Sequence, residues 1–206
     1  SPLPTAVIVL GGGSDSSVRC GGLNSASGNG AGNLAGYNQS AVGTCSLAIG
    51  GQNNYAGGSL SSVVGGESNG INVNSAGAFV GGGNRNVIND GLLGVILGGS
   101  KNCINQANYN TIANGVVNYI VNTSLNSSIG QGKTNIIDAS NYSSIVNGQT
   151  ITIAKNSTMS FIGNGNTNTI FGGCQQSILN GNNNLLANSN SSTIVGGGDN
   201  TIDIDN

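Results

Sequence analysis

The chain has 206 residues and a net charge of −2; 37 are Gly, counting along it gives 35 Asn and 26 Ser, and only 6% are charged. Five Lys+Arg against seven Asp+Glu exclude a basic nucleic-acid footprint. Pro occurs only at positions 2 and 4, which excludes collagen. The longest apolar run, Ala6-Val7-Ile8-Val9-Leu10, is too short to span a bilayer.

In chain order, Ser1-Pro2-Leu3-Pro4 reads as a linker leading into a cap strand over residues 7–10. Residues 1–15 are thus linker and cap, and residues 16–206 form one repeat domain. An anchor residue then recurs at Val18, Asn33, Ala48, Val63, Val80, Ile96, Ile112, Ile129, Ile145, Ile162, Ile178 and Ile194, in steps of 15 to 17. Three places later stands a glycine every time: Gly21, Gly36, Gly51, Gly66, Gly83, Gly99, Gly115, Gly132, Gly148, Gly165, Gly181 and Gly197. Three further come Asn24, Gln39, Asn54, Asn69, Asn86, Asn102, Asn118, Asn135, Ile151, Asn168, Asn184 and Asn200, an amide file with one gap. Two after that lies a second apolar column: Ala26, Ala41 and Ala56, then Ile71 and an Ile or Leu through Ile202.

Sixteen residues cannot hold a helix hairpin, and Ile, Val and Thr beside Gly and Asn favour strand. The period predicts an all-β parallel β-solenoid of about twelve coils. The anchor and the residue eight later point inward from opposite walls, and the glycine turns a corner at positive φ. The amides stack along the axis. Twelve coils at ~4.8 Å give a rod on the order of 58 Å long. The change from Ala to Ile in the second column, together with the longer steps, predicts a bore that widens near residue 60.

Neighbours of an inward residue point outward. On the anchor wall these include Leu34, Ile49, Val64, Leu97, Val146, Leu179 and Val195 on one side, and Leu47, Phe79, Val95 and Phe161 on the other. On the second wall, Asn72, Asn89, Asn105, Asp138 and Asp203 read as more polar, though Val42, Val121 and Phe171 interrupt them. An apolar stripe on one wall predicts packing against another chain, unless strand bends turn these side chains in.

The stretch Ser40-Ala41-Val42-Gly43-Thr44-Cys45-Ser46-Leu47-Ala48-Ile49-Gly50 resembles the head repeat of YadA-type trimeric adhesins, with looser copies at Ser62-Val63-Val64-Gly65 and Ser75-Ala76-Gly77-Ala78-Phe79-Val80-Gly81. Similar repeats occur in phage and virus fibres. The likeness is close over residues 24–83 and fades into longer, Ile-rich coils. It implies a left-handed parallel β-roll and a homotrimer. It also implies the binding head of a surface or virion fibre, outside the cell, that meets host or cell-surface protein or glycan.

Candidate chemistry is sparse. The chain has no His, and its Glu67 and six Asp do not pair across neighbouring coils, so no catalytic residue and no cofactor is assigned. Gly11-Gly12-Gly13-Ser14-Asp15 and Gly196-Gly197-Gly198-Asp199 faintly resemble calcium-binding nonapeptides but lack the nine-residue period, so no metal is assigned. Cys20, Cys45, Cys103 and Cys174 read as free buried thiols, Cys20 and Cys45 being the one pair whose coils come near enough for a disulfide, and Asn38, Asn122, Asn126, Asn141, Asn156 and Asn190 are sequons. The expected function is a non-enzymatic structural and adhesive module without nucleic-acid binding or membrane insertion. Two other classes are weighed. An ice-binding solenoid would use Ser16, Ser46, Ser61, Ser127, Ser143, Ser160 and Ser192 as an outer array, although no Thr-x-Thr rows exist. A glycan-cleaving β-helix would need converging carboxylates.

Overall fold

The computed structural model describes residues 9–11, 17–19 and 22–204. The protein is all-β. Its strands are two to six residues long and form two sheets that face each other across a narrow core. Among the described residues, one sheet has thirteen strands, from Val9–Gly11 to Thr193–Ile194, and the other has twelve, from Ser25–Ala26 to Thr201–Asp203. Successive strands of the chain alternate between the sheets, and all pairs but the first are parallel. This is a β-solenoid of about eleven turns, because twelve rungs of the second column are joined by eleven loops of chain.

The register is the one the periodicity predicts. Ala48, Val63, Val80, Ile96 and Ile112 are successive Cα partners in the first sheet. Ala41, Ala56, Ile71, Ile88 and Ile104 are successive partners in the second. Both columns are buried and together make up most of the core, with only Ala26 and Ile202 partly covered at the ends. One rung departs. Asn33 pairs with Arg19 rather than Val18, because the first coil is a residue shorter than the glycine file suggests. Gly21 and Cys20 lie outside the described residues, as do residues 7 and 8 of the expected cap. The cap strand that is present, Val9–Gly11, runs antiparallel along Ser17–Arg19 and covers the outer edge of the first sheet.

The path from anchor to second column is always eight residues, as from Val63 to Ile71 or Ile145 to Ile153. The return path is seven in the early coils, from Ala41 to Ala48, and eight or nine after Ile71. All variation in coil length therefore falls in one of the two corners. Gly43 and Gly58 are buried in that corner in the early coils, where a Cβ would strike the carbonyl oxygen of the next coil. Beyond residue 72 the corner is lined by Ser75, Ala107, Ser124, Ser140 and Ser157, all buried. The added residues coincide with the change from Ala to Ile in the second column.

Candidate functional site

The constant corner is built from three files. Gly36, Gly51, Gly66, Gly83, Gly99, Gly115, Gly132, Gly148, Gly165, Gly181 and Gly197 all have positive φ, between 79° and 142°. From Gly36 to Gly181, a Cβ would collide with the backbone of the next glycine in the file. Two places on, Ser68, Arg85, Lys101, Val117, Thr134, Thr150 and Thr167 also take the left-handed conformation. Their N–H groups bond to the coil before, as Val117 N–H does to the Ser100 carbonyl at 2.9 Å.

Asn54, Asn69, Asn86, Asn102, Asn118, Asn135, Asn168 and Asn184 are buried in the same corner; Gln39 is buried in its turn of the file. Asn24 is largely covered, and Asn200, in the last described coil, is exposed. The bonding differs from amide-to-amide stacking. The Asn102 Nδ2 donates to the carbonyls of Gly98 and Gly115, both at 3.0 Å, while its Oδ1 accepts the backbone N–H of Asn118 at 3.0 Å. The pattern recurs through the file, and the side-chain amides bond one another directly in Asn184 to Asn168 and Asn200 to Asn184. The acceptor in the next coil is always the file glycine, whose missing Cβ leaves room for the amide; the one four places back need not be glycine, as with Asn118 to the Asn114 carbonyl. Ile151 fills the gap in the file, fully buried, and its own N–H still reaches the Asn135 Oδ1 at 3.0 Å.

The two outer walls are less unequal than the sequence suggests. On the first sheet Leu34, Val64, Leu97, Val146, Leu179 and Val195 are exposed, and Ile49 is half-buried. Strand bends do not turn them in. On the second sheet the expected polar file is present: Asn72 donates to Asn89 at 2.5 Å and Asn89 to Asn105 at 2.7 Å. Yet the residues preceding the buried column there are Tyr55, Val87, Tyr119, Ile136 and Leu185, all reaching the surface. They have the same parity as the polar file, so the period-two rule applied on both sides of the column would have found them.

Most of the serine column two places before the anchor lies inside, Ser192 near the C-terminal end being half-buried. Ser46, Ser61, Ser127, Ser143 and Ser160 are buried, and Ser143 Oγ donates to the Ser157 carbonyl at 2.8 Å. These hydroxyls line the corner and form no outward array; Ser16 lies outside the described residues. Of the cysteines, Cys45 and Cys174 are exposed and Cys103 is half-buried; all three are free thiols. The first two sit at corners, where side chains leave the roll, so they are not the buried thiols expected. Burial raises the pKa of the Cys103 thiol.

Each described carboxylate accepts a hydrogen bond from an Asn of a neighbouring coil. The donors are Asn84 to Glu67, Asn74 to Asp90, Asn122 to Asp138, Asn183 to Asp199 and Asn188 to Asp203, at 2.6 to 3.2 Å. Among the described residues no three His, Cys, Asp or Glu side chains cluster as a metal site, and no helix is long and apolar enough to cross a membrane. No family model matches the chain, and neither a curated protein nor a solved structure matches it.

Proposed function

We propose that this chain is a non-catalytic rod that associates side by side with two copies of itself. The trimer would form the head of a surface or virion fibre that contacts host or cell-surface components. The observation that carries the reading is the file of exposed apolar residues on the first sheet, from Leu34 at 48% exposure to Val195 at 70%. Six such residues fall in one file along the solenoid, interrupted by Gly81, Ala113, Gly130 and Gly163, and a monomer in water gains by covering them. The likeness of residues 40–50 to trimeric adhesin heads supports the stoichiometry. The described carboxylates support a non-catalytic role, since each of them is engaged by an amide on its own stretch of the rod.

Light scattering coupled to size exclusion tests this. The expected mass is three chains at micromolar concentration, falling to one chain when Leu97 and Val146 are both changed to Lys. A wild-type monomer would overturn the reading.

A further inference from the structure

The second sheet carries a notch. Tyr55, Gly70 and Val87 are register partners in three consecutive coils. No heavy atom lies within 4 Å of where a Cβ on Gly70 would stand. The missing side chain leaves an open surface recess of about 380 Å³ lined by Tyr55, Asn72, Val73, Val87 and Asn89, a volume within the range of small-ligand sites.

Its chemistry is mixed and uncharged. The Tyr55 ring folds over Gly57, where a Cβ would stand 2.5 Å from its Cε1 and 2.9 Å from its Cζ. The ring thus lies along the sheet beside the notch and keeps 36% of the residue exposed, while Val87 opposite is 37% exposed. Asn72 and Asn89 border the notch with their amides already aligned, because Asn72 Nδ2 donates to Asn89 Oδ1 and Asn89 Nδ2 to Asn105 Oδ1. A primary amide has two N–H groups. The file uses one per rung, which leaves the second N–H of Asn72 and of Asn89 for a ligand in fixed orientation. An aromatic ring, an aliphatic wall and a strip of neutral amides match a molecule with one C–H face and a rim of hydroxyls.

We propose that this notch binds a neutral pyranose residue of a glycan, with its C–H face against Tyr55 and Val87 and its hydroxyls on Asn72 and Asn89. In naming a ligand class the proposal rests on the reading of the rod as a surface-binding module, but not on the trimer, whose expected contact is on the opposite sheet.

The test is saturation-transfer NMR on the whole chain with methyl β-galactopyranoside, methyl β-glucopyranoside and N-acetylglucosamine, with glycerol as the non-sugar control. Gly70→Val is the informative variant. Gly70 does not have positive φ, its Cβ position is open, and a β-branched residue suits a strand. At least one sugar should show transfer to its ring protons above the glycerol level. Gly70→Val and Tyr55→Ala should each lower it by about fivefold or more, as loss of the few contacts of a small ligand requires. No transfer to any of the three sugars, or transfer unchanged in Gly70→Val with its thermal midpoint intact, would overturn the proposal. Chain mass measured on the same samples separates the two ideas: a trimer without sugar transfer sinks only the notch, and a monomer with it sinks only the side-by-side assembly.

Discussion

The carbonyl oxygen of Gly115 occupies the space that a Cβ on Gly99 would need, and Gly99 is itself held at a φ of 87°. Left-handed backbone costs an L-residue about 1–2 kcal/mol, and forcing a methyl against backbone of a packed neighbour adds about 1–3 kcal/mol. Gly99→Ala is therefore expected to destabilise the rod by about 2–5 kcal/mol. The adjacent Gly98 is the control. It has no positive φ, and its nearest neighbour is the Asn114 Oδ1 at 4.0 Å, so Gly98→Ala should change stability by about 0.5 kcal/mol or less. Denaturant unfolding of the pair checks this, and equal costs would show that glycine stacking does not set the corner.

The amide file makes a second contrast. Asn102→Ala removes the acceptor for the buried N–H of Asn118, and an unpaired buried donor costs about 1–3 kcal/mol. The glycine carbonyls it serves suffer less, since the Gly115 oxygen also accepts the Ser100 N–H at 2.9 Å. Ile151→Asn runs the other way. It loses a buried aliphatic side chain, worth about 2–3 kcal/mol, but offers an Oδ1 toward Asn168 and donors to nearby carbonyls at about 1 kcal/mol each. Thermal unfolding is expected to show a clear loss for Asn102→Ala and a near-neutral result for Ile151→Asn.

Why the long-range register was readable from sequence follows from these corners. Gly99 and Asn102 recur because each turn meets the same backbone one step along the axis, so one constraint is written eleven times. What was not readable lies where the repeat is loose. Whether the serine hydroxyls face in or out depends on the return corner, whose length changes from seven to nine residues, and period alone does not fix a side chain there. Tyr55, Gly70 and Val87 share a column without sharing a residue type, so no repeated letter marks the notch they form. The engagement of Asp90 by Asn74 depends on contact between adjacent turns, which spacing brings near but does not specify.

Cys103 stands in the second sheet between its register partners Val87 and Tyr119. It is half-buried there, and burial raises its pKa. At a given pH it therefore holds less thiolate, and the thiolate is the form that attacks an alkylating agent. Iodoacetamide labelling followed by peptide mass analysis should modify the exposed Cys45 and Cys174 first. Labelling of Cys103 should lag and should increase as pH rises toward its raised pKa. Early labelling of Cys103 at neutral pH would mean that its surroundings open in solution.

Val117 carries the most readily relieved strain in the constant corner. Its φ of 60° is one that a β-branched residue rarely adopts, and its N–H bond to the Ser100 carbonyl at 2.9 Å holds it there. The equivalent place is filled by Asn38, Asn53 and Asn183 in other coils, at φ of 53°, 55° and 54°. Asn tolerates this region because its short polar side chain can bond locally. Val117 is only half-buried, so little apolar burial is lost on exchange. Val117→Asn is expected to raise the thermal midpoint and stabilise the fold by about 0.5–1 kcal/mol. A drop instead would show that contacts of the Val117 methyl groups outweigh the backbone penalty.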